Sequence, residues 1–167
     1  MSDRTLRADC SACCGLCCVA PAFDATQGFA VDKPAHTPCA HLGDSYRCDI
    51  HPMRAAQGFS ACIGFECFGA GQWVTQALHA GRSWRESPAL ARRMFEHYSR
   101  FRILHELLAL LEVLATTHAS MQRELEDLRT TVLLACALPD ATDEHALRNH
   151  VRKTLAELVQ RERSVAR

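Results

Sequence analysis

The chain has 167 residues, enough to bury one hydrophobic core. Its 19 basic and 19 acidic residues balance, which excludes the strongly basic surface typical of proteins that bind nucleic acid or anionic membranes. The first ten residues, MSDRTLRADC, lack the apolar run of a secretory signal, and no stretch approaches the ~20 apolar residues that a membrane helix needs. We therefore expect a cytoplasmic protein that binds neither nucleic acid nor membranes.

Cysteine is the residue type that is most unevenly distributed along the chain. Composition predicts a Cys-rich segment at 1–70, a connecting turn region at 71–86 and a helical part at 87–167, which together form one compact unit. Of the ten cysteines, only Cys136 lies in the helical part. The other nine are Cys10, Cys13, Cys14, Cys17, Cys18, Cys39, Cys48, Cys62 and Cys67.

The first cysteines occur in the sequence CSACCGLCC at residues 10–18. If this stretch is helical, the 100° step per residue places its five thiols within one arc of about 140°, with Cys14 near the middle. If it forms a turn, each C-x2-C pair can bind one ion as in a zinc knuckle. In both geometries several thiolates point the same way, and a cation would neutralise their mutual repulsion.

Two other uses of so many thiols are a disulfide framework and a plain buried cluster of small residues. An intracellular setting keeps thiols reduced, and nine cysteines leave one over in any set of disulfides. A buried cluster explains one or two cysteines but not nine in one short segment. Metal ligation is therefore the favoured interpretation, and all nine cysteines of the segment are candidate ligands.

Further ligand groups follow the first one along the chain. They are C-A-H at 39–41, C-D-I-H at 48–51 and C-x4-C at 62–67. Tetrahedral sites need four ligands, so nine cysteines can build two sites with one thiol to spare. The count does not distinguish two zinc ions from an iron–sulfur cluster plus a zinc ion. His41 and His51 are either ligands or polar turn residues.

The helical part carries an apolar pattern with spacings of three and four. Ser87-Pro88 predicts the start of a long helix that ends near Thr116-Thr117. A second helix continues to Pro139, and a third begins near Thr142. Their predicted inner faces consist of Leu90, Met94, Tyr98, Phe101, Leu104, Leu108, Leu111 and Ala115, then Met121, Leu125, Leu128, Val132 and Ala135, and then Leu147, Val151, Leu155 and Leu158.

The polar residues of these helices carry no recognisable catalytic pattern. We expect Cys136 to be a small buried hydrophobic residue. We expect the charged and imidazole side chains to lie on helix surfaces or at helix ends; they are Arg92, Arg93, Arg100, Arg102, Glu96, Glu106, Glu112, His97, His105, His118, His145 and His150. The predicted fold is mainly α, with an irregular Cys-rich metal-binding N-terminal segment docked on a C-terminal three-helix antiparallel bundle.

The order CSACCGLCC, CAHLGDSYRCDIH and CIGFEC resembles the YkgJ-like family of zinc- or iron-chelating cysteine-cluster domains. That family has a C-x2-C-x3-CC opening, and Cys14 stands here where the family usually has glycine. The run through FGAGQ, and WRE beyond it, is similar to the cysteine-rich N-terminal part of actinobacterial pentapeptide-repeat proteins, although this chain lacks the repeats. The resemblance implies ligation by Cys10, Cys13, Cys17, Cys18, Cys39, Cys48, Cys62 and Cys67.

The predicted function is a metal-binding protein that holds zinc or iron in a thiolate cluster and acts as a scaffold, partner-binding or metal-handling module. Zinc is favoured because thiolates with occasional histidine suit it and the helical part shows no redox site. The alternatives are an iron–sulfur enzyme or electron carrier, and storage of Cu(I), which soft thiolates favour. Only one thiol-lined helix is expected, which makes copper storage the weaker alternative.

Overall fold

A computed structural model of the chain describes residues 5–138, 140 and 143–165. The described residues are mainly α-helical and form no β-sheet, only two isolated antiparallel bridges, so the predicted fold class is confirmed. The chain divides into two compact units, Met1–Arg102 and Ile103–Arg167, whose boundary lies within the third α-helix. The division at residues 70 and 86 that composition suggests stays a prediction. None of the described helices combines the length and apolarity required to cross a bilayer.

The N-terminal part of the first unit consists of short helical turns joined by loops. Helix α1 spans Leu16–Val19 and helix α2 spans Ala70–Gln72, and α2 continues directly into a π-helical turn at Trp73–Leu78. The two bridges join Phe23 to Lys33 and Leu42 to Cys48. Shorter 3₁₀ turns lie at Cys10–Ala12, Ala25–Gln27, His51–Met53, Ser60–Cys62 and Trp84–Glu86.

The first cysteine group does not form one continuous helix. A 3₁₀ turn at Cys10–Ala12 is followed by extended backbone at Cys13, and Gly15 then adopts φ 72° before α1 begins. This left-handed conformation is readily available only to glycine, and a Cβ atom at this position would lie 2.8 Å from Leu42 Cδ1. The helical alternative for residues 10–18 is therefore wrong, and the turn alternative describes the backbone.

Helix α3 spans Pro88–Thr117 and has the start and end that the sequence predicts. The Leu90 N–H donates to Ser87 Oγ at 3.2 Å, as expected of an N-cap serine. Most of the predicted inner face is buried, whereas Leu90 and Ala115 at its two ends are half-buried. The buried members are Met94, Tyr98, Phe101, Leu104, Leu108 and Leu111.

Three polar residues of α3 were expected on its surface and are buried instead. His97 and Arg100 are each 7% exposed, and His105 is 0% exposed. Nine of the twelve side chains at positions 97–108 are buried, so this part of α3 has only a narrow exposed or half-buried stripe. His97 Nδ1 lies 3.0 Å from His79 Nε2. The apolar pattern alone could not reveal that this helix is covered on most sides.

Helices α4 and α5 span Gln122–Ala137 and Glu144–Val165. Asp143 caps α5, because its Oδ1 accepts hydrogen bonds from the backbone N–H groups of His145 and Ala146. Pro139 and Thr142, which the sequence places at the end of one helix and the start of the next, lie outside the described residues. The buried residues of these helices are Leu125, Leu128, Val132, Ala135, Cys136, Val151, Leu155 and Leu158.

Side-chain contacts fix the directions of the helices in the second unit. Arg161 near the end of α5 lies 3.2 Å from Glu124 at the start of α4, so these two helices are antiparallel. Arg148 early in α5 lies 3.6 Å from Glu106 in the middle of α3. Only His118 and the turn at Ala119–Met121 separate the end of α3 from α4. The described helices therefore run up, down and up, as the prediction of an antiparallel bundle requires.

Candidate functional site

Eight cysteine thiols of the first unit are brought together around Cys17. Helix α1 carries Cys17 and Cys18, whose Sγ atoms lie 3.9 Å apart. The Cys17 thiol interacts electrostatically with thiols from several other stretches of the chain. We call this group the Cys17 cluster; its members are Cys10, Cys13, Cys17, Cys18, Cys39, Cys48, Cys62 and Cys67. Each belongs to the set of candidate ligands predicted from the sequence.

One side of the Cys17 cluster lies against Gly71 of α2. A Cβ atom at Gly71 would lie 2.7 Å from Cys13 Sγ and 3.9 Å from Cys67 Sγ, so both sulfur atoms approach the same point on the helix. Cys10 interacts electrostatically with Cys67. We call Cys10, Cys13 and Cys67 the Gly71 side of the cluster.

A second part of the Cys17 cluster is held by Arg54. The Arg54 guanidinium donates to the Cys62 carbonyl at 2.6 Å and to the His51 carbonyl at 2.9 Å, which ties together the turns that follow Cys48 and precede Cys67. The Cys62 thiol interacts with the thiols of Cys39 and Cys48. We call Cys39, Cys48 and Cys62 the Arg54 side of the cluster.

Backbone N–H groups that lie two or more residues farther along the chain lower the pKa values of three thiols of the cluster. In each case the donors lie two to four residues after the cysteine, where the chain turns back over its side chain. Such donors stabilise a thiolate more than a neutral thiol and orient it as a ligand. The donors are Gly15 and Leu16 for Cys13, Ile50 for Cys48, and Gly69 and Gly71 for Cys67.

Burial governs the ionisation of the cluster. It raises the pKa of the Cys13 thiol to about 12 and also raises the pKa of the Cys67 thiol. The hydrogen bond with Cys18, and then burial, raise the pKa of the Cys17 thiol well above its usual value. These thiols therefore stay protonated near neutral pH, and a metal ion would have to displace their protons on binding.

Two arginines partly oppose this effect of burial. Burial raises the pKa of the Cys10 thiol, and the nearby Arg47 guanidinium lowers it again in part. In the same way burial raises the pKa values of Cys48 and Cys62, and Arg54 lowers both in part. Each side of the cluster therefore has a cation that can offset the charge of its thiolates.

A third cation, Lys33, lies close to the Arg54 side. Its ammonium group donates to the carbonyl oxygens of Pro21 at 2.5 Å, Thr37 at 2.8 Å and Pro34 at 3.1 Å, and it lies 4.4 Å from the centre of the Phe23 ring. The side chain is 6% exposed and interacts electrostatically with the thiols of Cys39 and Cys18. Sequence reasoning missed Lys33, because a single lysine in a turn-rich segment gives no signal of burial.

Cys14 is placed differently from the cysteines of the cluster. It is 4% exposed, and its Sγ lies 3.4 Å from Thr75 Oγ1. The indole N–H of Trp84 donates to the Cys14 carbonyl at 2.8 Å. The Cys14 thiol thus packs against the π-helical turn.

The remaining candidate residues also have defined positions. The His41 ring packs edge-on against Phe59 with 5.2 Å between ring centres, and His51 is exposed. Cys136 is buried in α4 of the second unit, as predicted. None of the ten cysteines, all of which are described, forms a disulfide. Within the described residues, no three or more His, Cys, Asp or Glu side chains have an arrangement that could hold a metal ion.

Two curated relatives identify the family of the chain. It is 46% identical over 103 residues to the uncharacterized protein YybG of Bacillus subtilis, a match that spans 62% of this chain and 37% of that relative. It is 42% identical over 61 residues to the UPF0153 protein YeiW of Escherichia coli, a match that spans 35% of this chain and 68% of that relative. The chain belongs to the UPF0153 family. UPF0153 proteins are cysteine-rich, in agreement with the predicted membership of a cysteine-cluster family.

No protein-family model and no solved structure matches the chain. The names of the two UPF0153 relatives state no activity. The chain spans 37% of the length of the Bacillus subtilis protein, so any activity assigned to the whole protein is a proposal.

Proposed function

We propose that this UPF0153 protein binds zinc through the thiols of the Cys17 cluster and acts as a scaffold, partner-binding or metal-handling module. The observation that supports this proposal is the gathering of eight thiols, from residues 10 to 67, around Cys17 of α1. Thiolates are preferred zinc ligands, and structural zinc sites with four ligands stabilise small, loop-rich segments. The resemblance to YkgJ-like cysteine-cluster domains supports the same function.

We infer that zinc binding would draw the thiols into two four-coordinate sites that share α1. The Gly71 side supplies three thiols, and Cys17 would complete the first set. The Arg54 side supplies another three, and Cys18 would complete the second, because the Cys39 N–H donates to the Cys18 carbonyl at 2.9 Å. With 3.9 Å between the Sγ atoms of Cys17 and Cys18, one turn of helix would serve both sites.

The protein groups around the thiols have defined roles in this proposal. Bound zinc would supply folding free energy and fix the ligand geometry. Backbone N–H groups would orient the ligating sulfur atoms, and Arg47, Arg54 and Lys33 would offset their negative charge. Exposed Ile63 and Phe65, which lie between two cluster cysteines, would suit contact with a protein partner. A thiol-based site requires a reducing compartment, which supports a cytoplasmic location.

Metal analysis of protein purified without oxygen tests the proposal. We expect about two zinc ions per chain, since eight thiolates fill two tetrahedral sites. A brown protein with a broad absorption band that bleaches on reduction would favour the alternative, an iron–sulfur enzyme or electron carrier. Bound Cu(I) would favour copper storage. Metal-free protein whose cluster thiols all react freely with a thiol reagent would overturn metal binding itself.

A further inference from the structure

The 3₁₀ turn at Trp84–Glu86, just before α3, is held in place by its own side chains. The Arg85 N–H donates to Ser83 Oγ at 3.1 Å, and the Ser83 N–H donates to Glu86 Oε1 at 2.7 Å, which together form a capping box. Each of these bonds satisfies a backbone donor at the start of the turn. The sequence Ser-Trp-Arg-Glu therefore folds locally and presents the side chains of Trp84 and Arg85 in fixed positions.

Arg85 binds the loop that leads into Cys48 through two neighbouring carbonyl groups. Its Nη1 donates to the Asp44 carbonyl oxygen at 2.9 Å, and its Nη2 donates to the Gly43 carbonyl oxygen at 3.1 Å. The planar fork of a guanidinium suits two acceptors side by side, whereas an ammonium group lacks that geometry. The antiparallel bridge between Leu42 and Cys48 closes this loop. Arg85 thus fixes the backbone immediately before a thiol of the cluster.

The same loop contains a strained residue, Tyr46. Its φ of 62° lies in the left-handed region, which costs a bulky side chain free energy and persists only where the surroundings hold it. The Arg85 guanidinium carbon lies 4.4 Å from the centre of the Tyr46 ring, and the Tyr46 hydroxyl lies 2.5 Å from Ser83 Oγ. The conformation of the loop therefore depends on the Trp84–Glu86 turn and is not a local preference.

Trp84 binds a second loop, which leads from Cys13 into α1. Its indole N–H donates to the Cys14 carbonyl oxygen at 2.8 Å. The two loops touch at the next residue, because a Cβ atom at Gly15 would lie 3.1 Å from the Tyr46 carbonyl oxygen. Two consecutive side chains of one turn therefore hold the backbones of both loops where they meet.

We propose that Trp84 and Arg85 form a clamp that holds the loops bearing Cys13 and Cys48 in position for metal binding. Both are positioning residues, because they bind the backbone beside the thiols and supply no ligand. Fixing the loops before metal arrives lowers the entropy cost of gathering the thiols, so the clamp strengthens binding. This inference deepens the proposed function and rests on it.

Replacing Arg85 with lysine tests the clamp, because lysine keeps the charge and loses the fork. Zinc affinity of Arg85→Lys protein, measured by competition with a chromophoric chelator, should fall by about tenfold, as for other residues that position metal ligands. The number of bound zinc ions should stay at the wild-type value, since every thiol remains. Trp84→Phe, which removes the indole N–H and keeps an aromatic ring, should change the affinity in the same direction.

Ser87→Ala is the matched control, because Ser87 adjoins the same turn but its side chain accepts from the Leu90 N–H of α3. Loss of this cap should cost about 1 kcal/mol of stability and leave zinc affinity at the wild-type value. Equal losses of affinity in Ser87→Ala and Arg85→Lys would show that affinity only follows overall stability. That result, or wild-type affinity in Arg85→Lys, would overturn the clamp.

A second measurement needs no metal. In metal-free, reduced protein, iodoacetamide should alkylate Cys48 at least about threefold faster in Arg85→Lys than in the wild type, because the loop opens more often. Cys136 in the second unit should keep its rate. Equal acceleration at both cysteines, or none at Cys48, would overturn the inference. If the wild type binds no zinc while Cys48 reacts faster in the variant, the proposed function fails and the clamp on the loops stands.

Discussion

The stretch from residue 5 to 87 and the second unit bury different kinds of side chain. In the second unit, leucine, valine and methionine side chains of three helices fill the core at helical spacing. Between residues 5 and 87, the large buried apolar side chains are Leu16, Val19, Phe23, Phe59 and Val74. Burial of apolar surface is the main source of folding free energy, so the N-terminal stretch has less of it per residue.

Polar groups occupy the space that apolar side chains fill elsewhere. Lys33 is enclosed by backbone carbonyl groups, and the raised pKa values of the half-buried Cys13 and Cys17 thiols keep both protonated near neutral pH. An interior of this kind is stable only when each buried polar group has a hydrogen-bond or charge partner. The comparison leads us to expect that zinc supplies to the N-terminal stretch the stability that the apolar core supplies to the second unit.

Removal of the metal should separate the two regions most clearly. We expect a strong chelator to leave most of the helical circular dichroism intact, because the cores of the long helices contain no cluster thiol. The N-terminal stretch should become sensitive to trypsin, with new cleavage after Arg54, whose guanidinium is tied to the His51 and Cys62 carbonyl groups in the folded protein. Cleavage after exposed Arg47 in both states is the internal control. Loss of all helical signal on chelation would show instead that the whole chain unfolds as one cooperative unit.

Substitution of single cysteines should distinguish the two regions next most strongly. Cys17→Ser removes a thiol at the centre of the cluster, so we expect the zinc content to fall by about one ion per chain, with a lower unfolding temperature. Cys136→Ser changes a buried cysteine of α4 and should cost about 1–3 kcal/mol without changing the zinc content. Elemental analysis and thermal unfolding measure both effects. Zinc loss from Cys136→Ser would contradict the assignment of the metal sites to the first unit.

Glycine 71 offers a test that leaves every thiol in place. Alanine at this position would bring its Cβ atom to 2.7 Å from Cys13 Sγ, so the sulfur must move. Alanine usually stabilises a helix by about 0.5–1 kcal/mol relative to glycine, but overpacking typically costs about 1–3 kcal/mol. We therefore expect Gly71→Ala to lower both stability and zinc affinity. Gly64→Ala is the matched control, because nothing lies within 4 Å of its Cβ position. Equal zinc affinity in the two variants would show that Cys13 can move without loss.

The helices could be predicted from the sequence because their signals are local and repeated. Ser87 and Pro88 mark the start of α3, and spacings of three and four mark its buried face as far as Leu111. Tyr98 was correctly predicted as part of that face. Its hydroxyl group has no effect on the apolar pattern, so the burial of that hydroxyl without a hydrogen-bond partner among the described residues became visible only in the structure.

The cluster could be predicted only as a set of residues. The cysteine spacing identifies eight thiols that the structure gathers. The backbone path between them depends on single positions such as Gly15, whose φ of 72° is incompatible with a continuous helix over residues 10–18. The carbonyl cage of Lys33 and the contact of Gly71 with Cys13 join residues far apart in sequence. Such long-range contacts have no local signal, so they could not be derived from composition or periodicity.

Replacement of Cys14 is expected to have the smallest effect, and it tests whether this cysteine of the N-terminal stretch is a ligand or a structural residue. On a continuous helix it would share an arc with the other four cysteines of residues 10–18, which made it a candidate ligand. In the structure Gly15 interrupts the helix, and Cys14 Sγ lies 3.4 Å from Thr75 Oγ1. Serine at this position can keep the hydrogen bond to Thr75, so we expect Cys14→Ser to cost about 1 kcal/mol of stability.

We expect the zinc content of Cys14→Ser to equal that of the wild-type protein. Elemental analysis measures this, with Cys17→Ser protein analysed in parallel for comparison. Thr75→Val provides the structural control, because it removes the partner of Cys14 and leaves every thiol in place. If Cys14 is structural, the stability losses of the two variants should not add, since the serine hydroxyl of Cys14→Ser depends on Thr75 as its hydrogen-bond partner. If Cys14→Ser loses zinc to the same extent as Cys17→Ser, then Cys14 is a ligand, and the N-terminal stretch must rearrange around the metal to bring its thiol into the cluster.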